Sequence, residues 1–326
     1  MHKSKYFHWA LLALTLASCN SRNCYDPCQE VIEQKYVHKY GIEIAPEDWE
    51  ERGQCGQVIS TRKDGTTVAE YYDNGVLHGD CTYSFPHSST VARKESYDFG
   101  ALMAETAYYR SGGSRQEVKP TGAKGKEVTS WYESGVPKSK ESFDNDILVE
   151  GEYYNAEHTV EGRVHEGNGT RIQRDAYGQL IARELIQNGE IAQITTFHSN
   201  GNPKEVIPLL KGTRHGTVQT FLPDGEPSRV EEWTNGIQNG TTITFENAEV
   251  VSKVPYTNGV PNGIEERYRD GNVLAVRITW VAGNKHGPTY HYAGSNVTTD
   301  WFFQNKPVSE SDYDILTNYN QRNRGY

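Results

Sequence analysis

The sequence predicts an all-β protein, an elongated antiparallel β-meander of about ten to eleven hairpins with a short N-terminal helical cap. Three observations carry this expectation. The first is composition: of 326 residues only 35% are hydrophobic and mean hydropathy is −0.75. That is thin for a two-layer core, whereas 31 Gly and 21 Tyr beside 2 Met suit short strands joined by tight turns. The second is a period: glycines recur at 189, 212, 236, 259 and 283, in steps of 23, 24, 23 and 24 residues. The third is phase. Three residues before each leading position stand Tyr72, Tyr97, Phe143, Ile186, Leu209, Trp233, Tyr256, Trp280 and Phe303, taking Gly100, Asp146 and Lys306 as leading positions. With Val164 and Lys119 included, seven of these eleven positions are aromatic, against an aromatic content of 11%.

Within a unit, the leading glycine (Gly75, Gly189, Gly212, Gly236, Gly259 or Gly283) is the second residue of a tight turn, clearest in Asn188-Gly189, Asn235-Gly236 and Asn258-Gly259. Asn-Gly supplies the two positive φ angles that a two-residue hairpin turn demands. A second glycine often follows four residues later, as at Gly79, Gly216, Gly240, Gly263 and Gly287. Five residues beyond that comes Phe221, Phe245, Tyr268 or Tyr292. Two short strands per unit, joined by such turns, run antiparallel. The aromatic positions are expected to stack from strand to strand on one face and to form the core, with each unit stabilised mainly by its neighbours. The units between about 110 and 170 are the least regular, and there the register is open.

The first thirty residues specify an address. His2, Lys3 and Lys5 precede an apolar run from Phe7 to Leu16, too short to span a bilayer and suited to a signal-peptide core. The run ends in Leu16-Ala17-Ser18-Cys19, which resembles the bacterial lipobox. The resemblance implies cleavage before Cys19, lipidation of its sulfur and attachment to a lipid bilayer. Asn20 after the cysteine favours the outer over the inner membrane. The expected organisation is therefore 1–18 signal peptide, 19–52 lipidated segment with a capping helix, 53–308 hairpin array and 309–326 C-terminal tail. Asp26-Pro27 reads as the start of that helix, Val31, Ile32, Tyr36 and Val37 as one face of it, and Gly41 as its stop.

Cys24, Cys28, Cys55 and Cys81 are an even set in a chain read as exported, which suggests two disulfides, with three possible connectivities. A zinc site is the rival, but the cysteines lack paired-knuckle spacing. A net charge of −10 argues against nucleic acid as a partner. His78, His215 and His286 share one slot before the second glycine with Asn239 and Asn262, which makes the slot a polar turn position, not a catalytic or metal cluster. The pairs Glu231-Glu232 and Glu265-Glu266 point to opposite faces of their strands and read as solvated surface. No cofactor is implied.

The pattern in Tyr71 to Tyr83, Trp233 to Phe245 and Tyr256 to Tyr268 resembles the MORN repeat, particularly the variant of proteins labelled YwqK-family antitoxins. The resemblance covers roughly 250 residues. It implies a β-hairpin array used for contact with protein or lipid, and no catalytic residues. The expected function is that of a non-catalytic, lipid-anchored protein of the bacterial cell envelope whose array is a scaffold or binding surface for another envelope protein. An antitoxin is a second reading, and a glycan ligand stacking on exposed tyrosines is a third.

Overall fold

The computed structural model describes residues 30–323, with side chains to residue 319. From Val31 to Val308, twenty-nine strands pair antiparallel in one sheet, the long strands in chain order and the two-residue strands 43–44, 76–77, 213–214, 237–238 and 260–261 each with the long strand before it. The prediction of a β-meander is met. The turns explain the period. Asn188 and Gly189 have φ of 52° and 77°, Asn235 and Gly236 50° and 79°, and Asn258 and Gly259 52° and 82°. Positive φ at both central residues matches the right-handed twist of the flanking strands. Lys211-Gly212 and Ala282-Gly283 take the same path, at 50° and 74° and at 47° and 81°.

Successive turns are laced along one rim of the sheet. The Gly100 N–H donates to Leu77 O at 2.8 Å, Gly236 to Arg214 at 2.8 Å, Gly259 to Gln238 at 2.9 Å and Gly283 to Pro261 at 2.8 Å. In each case the leading glycine bonds the residue two places past the previous leading glycine. The opposite rim is tied by side chains: Tyr109 Oη donates to Trp131 O at 2.8 Å, Tyr132 Oη to Tyr154 O at 2.6 Å and Asn202 Nδ2 to Pro223 O at 2.8 Å.

The N-terminal expectation is corrected. Val31–His38 is a strand, not a helix; it pairs with Gly56–Arg62 from Val31↔Arg62 to His38↔Gly56. β-Branched Val31, Ile32 and Val37 suit a strand, and pairing satisfies the edge that the first hairpin would otherwise expose. The helical element comes later as α1 (Pro46–Glu51), whose Trp49 is buried against Tyr36 and Tyr72, with ring centroids at 5.5 and 6.3 Å. Asp26 and Pro27 lie outside the described residues.

At the other end α2 (Glu310–Asn323) starts at Ser309, whose Oγ accepts the Asp312 N–H at 3.1 Å. Its Tyr313 packs on Trp301, His286 and Phe303 at 5.0, 5.4 and 6.3 Å. Among the described residues one buried hydrophobic cluster forms: Leu148, Tyr153, Val164, Ile172 and Ile186, with Phe143, Leu180 and Ile191 packed against it. It lies in and beside the region where the repeat is least regular.

Candidate functional site

The aromatic row follows one face of the sheet, and the second glycine explains its position. Gly56 pairs with Tyr72, Gly79 with Tyr97, Gly216 with Trp233, Gly240 with Tyr256 and Gly263 with Trp280. Each aromatic of one unit thus stands across from a glycine of the preceding hairpin, which offers no side chain of its own. Two expectations about this row are corrected. Its members occupy alternate strands, roughly 10 Å apart, and among the described residues no two of Tyr72, Tyr97, Phe143, Trp233, Tyr256 and Trp280 stack on each other. The last position is Phe302, which pairs with Gly287, and not Phe303. Phe303 lies one residue later and faces the other side of the sheet, where it meets His286 and Tyr313.

The most buried row is one that sequence reasoning missed. It lies two residues past the second glycine, at Cys81, Val218, Thr242, Glu265 and Thr289, each 4% exposed or less. The same row continues across the strands through Glu95, Glu231, Val254 and Ile278. The aromatic positions beside it are half-buried. The recurring signal was in plain view as Glu-x-aromatic: Glu70-x-Tyr72, Glu95-x-Tyr97 and Glu231-x-Trp233 place both side chains on one face of a strand.

Each such pair is hydrogen-bonded. Tyr72 Oη donates to Glu70 at 3.3 Å, Tyr97 Oη to Glu95 at 3.1 Å and Trp233 Nε1 to Glu231 at 3.2 Å. Glu265, read from sequence as solvated, is buried instead and accepts from Trp280 Nε1 at 2.7 Å and Arg267 Nε at 2.5 Å. Burial and the adjacent carboxylates raise the Tyr72 and Tyr97 hydroxyls to about 12. Cations cover the rings: Arg214 sits 5.2 Å from the Trp233 centroid, Lys126 5.3 Å from Phe143 and Lys285 5.9 Å from Trp280.

The densest polar arrangement lies at the hydrophobic cluster. Arg171 donates from Nε and a terminal nitrogen to both oxygens of Glu141, at 2.7 and 3.2 Å, and to Glu184 at 3.3 Å. Tyr153 Oη donates to Glu141 at 2.8 Å and Gln173 Nε2 to Glu184 at 2.6 Å. Burial raises the Glu184 carboxyl above the usual range, and Arg171 opposes that rise.

The polar turn slot gains a role. His78 Nδ1 accepts the Phe99 N–H at 3.3 Å, His215 Nδ1 accepts from Asn235 at 3.4 Å, and Asn262 Oδ1 accepts from Ala282 at 3.0 Å. These side chains join consecutive turns. Among the described residues, no group of three or more His, Cys, Asp or Glu is placed to hold a metal ion. Cys55 and Cys81 are free, buried thiols. They stand two strands apart and are not bonded to each other. Cys55 Sγ accepts the Asn74 N–H at 3.2 Å, and burial pushes the Cys81 thiol up. Cys19, Cys24 and Cys28 lie outside the described residues.

Comparison with known proteins adds one assignment. Residues 124–145 match the MORN repeat variant. That segment contains the hairpin Gly125–Trp131 and Pro137–Asp144, whose Phe143 is a member of the aromatic row. No curated protein matches the chain. Among solved structures, BamB from Moraxella catarrhalis aligns at 10% identity over 77% of this chain and 82% of its own, with a TM-score of 0.14. A porin-like protein from Bacteroides uniformis aligns at 10% identity over 84% and 94%, with a TM-score of 0.11. The TcdB2-TccC3 structure aligns at 9% identity over 84% of this chain and 20% of that one, with a TM-score of 0.17.

Proposed function

We propose that this chain is a lipid-anchored protein of the bacterial cell envelope whose β-repeat array serves as a non-catalytic scaffold or binding surface. The observation that supports a surface role is the aromatic face itself. Among the described residues, outside the Leu148–Ile186 cluster and the cover given by α1 and α2, the sheet is one layer thick, and Trp233, Tyr256 and Trp280 are half-buried with no second layer over them. Half-covered aromatics flanked by cations and carboxylates are the side chains that anchor protein interfaces. The MORN variant match at 124–145 supports the same class of role.

The anchor belongs to Cys19. Eleven residues take the chain from Cys19 to Glu30, so even fully extended the tether reaches no more than about 40 Å. The array would therefore stand close to the bilayer by its first hairpin, with α2 at the far end. Metabolic labelling with palmitate tests the anchor: the wild-type chain takes up label and Cys19→Ser does not. Label retained in Cys19→Ser would remove the anchor from the proposal.

A further inference from the structure

The backbone ladder is weakest at one seam. Strand Val160–His165 pairs with Asn168–Arg174 at only two positions, Val164↔Gly169 and His165↔Asn168. The ladders on either side pair at four positions, from Gly151↔Val164 to Tyr154↔Val160, and at six, from Gly169↔Ile186 to Arg174↔Leu180. Side chains take over where the ladder fails. Arg174 grips Glu161 across the seam with both oxygens engaged, at 2.7 and 2.8 Å. Arg171 reaches past two strands to grip Glu141 in the same two-pronged way.

In a flat sheet the strands carrying Glu141 and Arg171 would be about 14 Å apart. Their direct contact therefore requires the sheet to curl sharply here, and small residues permit it. A Cβ on Gly151 would meet Tyr153 Oη at 2.5 Å, and one on Gly162 would meet Thr170 O at 2.7 Å and Ile172 Cγ1 at 2.8 Å. Tips 43 residues apart in sequence also touch: the Glu133 N–H donates to Ala176 O at 3.2 Å. Among the described residues, Arg171 is the one cation in contact with the buried carboxylates Glu141 and Glu184, and Tyr153 and Gln173 complete their hydrogen bonds.

We propose that the seam between His165 and Asn168 is a hinge dividing the array into two arms, and that the Arg171–Glu141 and Arg174–Glu161 pairs are the lock that holds its bend. The strands from Val31 to His165 form one arm and those from Asn168 to Val308 the other. Within the arms, ladders that pair at only two positions, such as Pro203–Leu210 with Gly216–Phe221, are supplemented by a short strand that pairs at two more, here Thr213–Arg214. The seam has no such supplement, and across it the side chains set the angle. A charge-locked bend fixes how far apart the two arms present their aromatic faces.

Hydrogen exchange on the full-length protein tests this without reference to any partner. In Arg171→Met, amides of 160–174 are expected to exchange about tenfold faster or more, while peptides from 56–73 and 263–281 keep wild-type protection. Arg174→Met, at the more solvated pair, is expected to give the same local pattern and serves if Arg171→Met does not fold. Glu184→Gln, which keeps both arginine grips, is expected to leave 160–174 protected. Unchanged exchange at 160–174 in the arginine variants overturns the proposal. So does a rise spread evenly over the whole chain, which would make the pairs part of one cooperative fold.

Discussion

At the scale of single residues, glycine serves the turns that contain it for two separable reasons. Gly212 has φ of +74° and open space where a Cβ would stand, so Gly212→Ala meets only backbone strain, on the order of 1–2 kcal/mol. Gly189 has φ of +77°, and its Cβ would also fall 2.0 Å from Ile147 Cγ2 beside the hydrophobic cluster. Gly189→Ala is therefore expected to be the more damaging change, by about 1–3 kcal/mol beyond strain alone. Chemical denaturation of the two variants checks the order, and equal midpoints would contradict it. The tyrosines give a pH signature. Tyr72 and Tyr97 are held near 12, whereas an unfolded tyrosine ionises near 10. Between those values the unfolded chain has released protons that the folded one keeps, so stability falls as pH rises through about 10 to 12. Absorbance at 295 nm should show these tyrosines titrating late, together with loss of the β-sheet circular dichroism signal.

At the scale of elements, the two ends of the array are closed differently, and neither closure was expected: a helix was expected where Val31–His38 is a strand, and only a tail over 309–326, where a helix forms. The C-terminal helix starts at Ser309, whose hydroxyl caps a first turn bearing Glu310 and Asp312. Because each unit is stabilised mainly by its neighbours, removing the helix contact has a local effect. Tyr313→Ala should loosen the hairpin 284–303 by about 1–2 kcal/mol in local exchange protection and leave 31–62 at wild-type levels. At the N-terminus, Val31, Ile32, Tyr36 and Val37 fit both a helical face and a strand. Only the partner strand Gly56–Arg62 decides between them, and local spacing does not contain it. The Phe302 and Phe303 positions show the same limit. The final turn, Gln304-Asn305, carries positive φ without a glycine, so the sequence offered no marker for a one-residue change of face.

At the scale of the whole molecule, the period and the turn chemistry made the meander legible, because Asn-Gly turns and a 23-residue spacing leave few other arrangements. What they did not reveal was which row is deepest. An expectation built on apolar residues favoured the aromatics, yet the buried row mixes Cys81, Val218, Thr242 and Glu265. A polar residue can take that place when an aromatic N–H or O–H, or an arginine, completes its hydrogen bonds, as Trp280 and Arg267 do for Glu265. Gly151 and Gly162, in the stretch where the register was open, have a steric role at the curl beside Arg171. The molecule is thus one continuous sheet, with a compact hydrophobic cluster near its middle and aromatic faces that are only half covered.

The half-covered face is proposed as the place where the array meets another envelope protein. This is tested most directly by placing a photo-crosslinking residue at Tyr256 or Trp280 on the aromatic face, and at Lys253 or Arg277 on the opposite face, in cells producing the full chain. A discrete crosslinked envelope protein is expected from the aromatic-face positions, greatly reduced from the opposite face and reduced when Cys19→Ser removes the anchor. Equal crosslinking from both faces, or none above background from Tyr256 and Trp280, would contradict it.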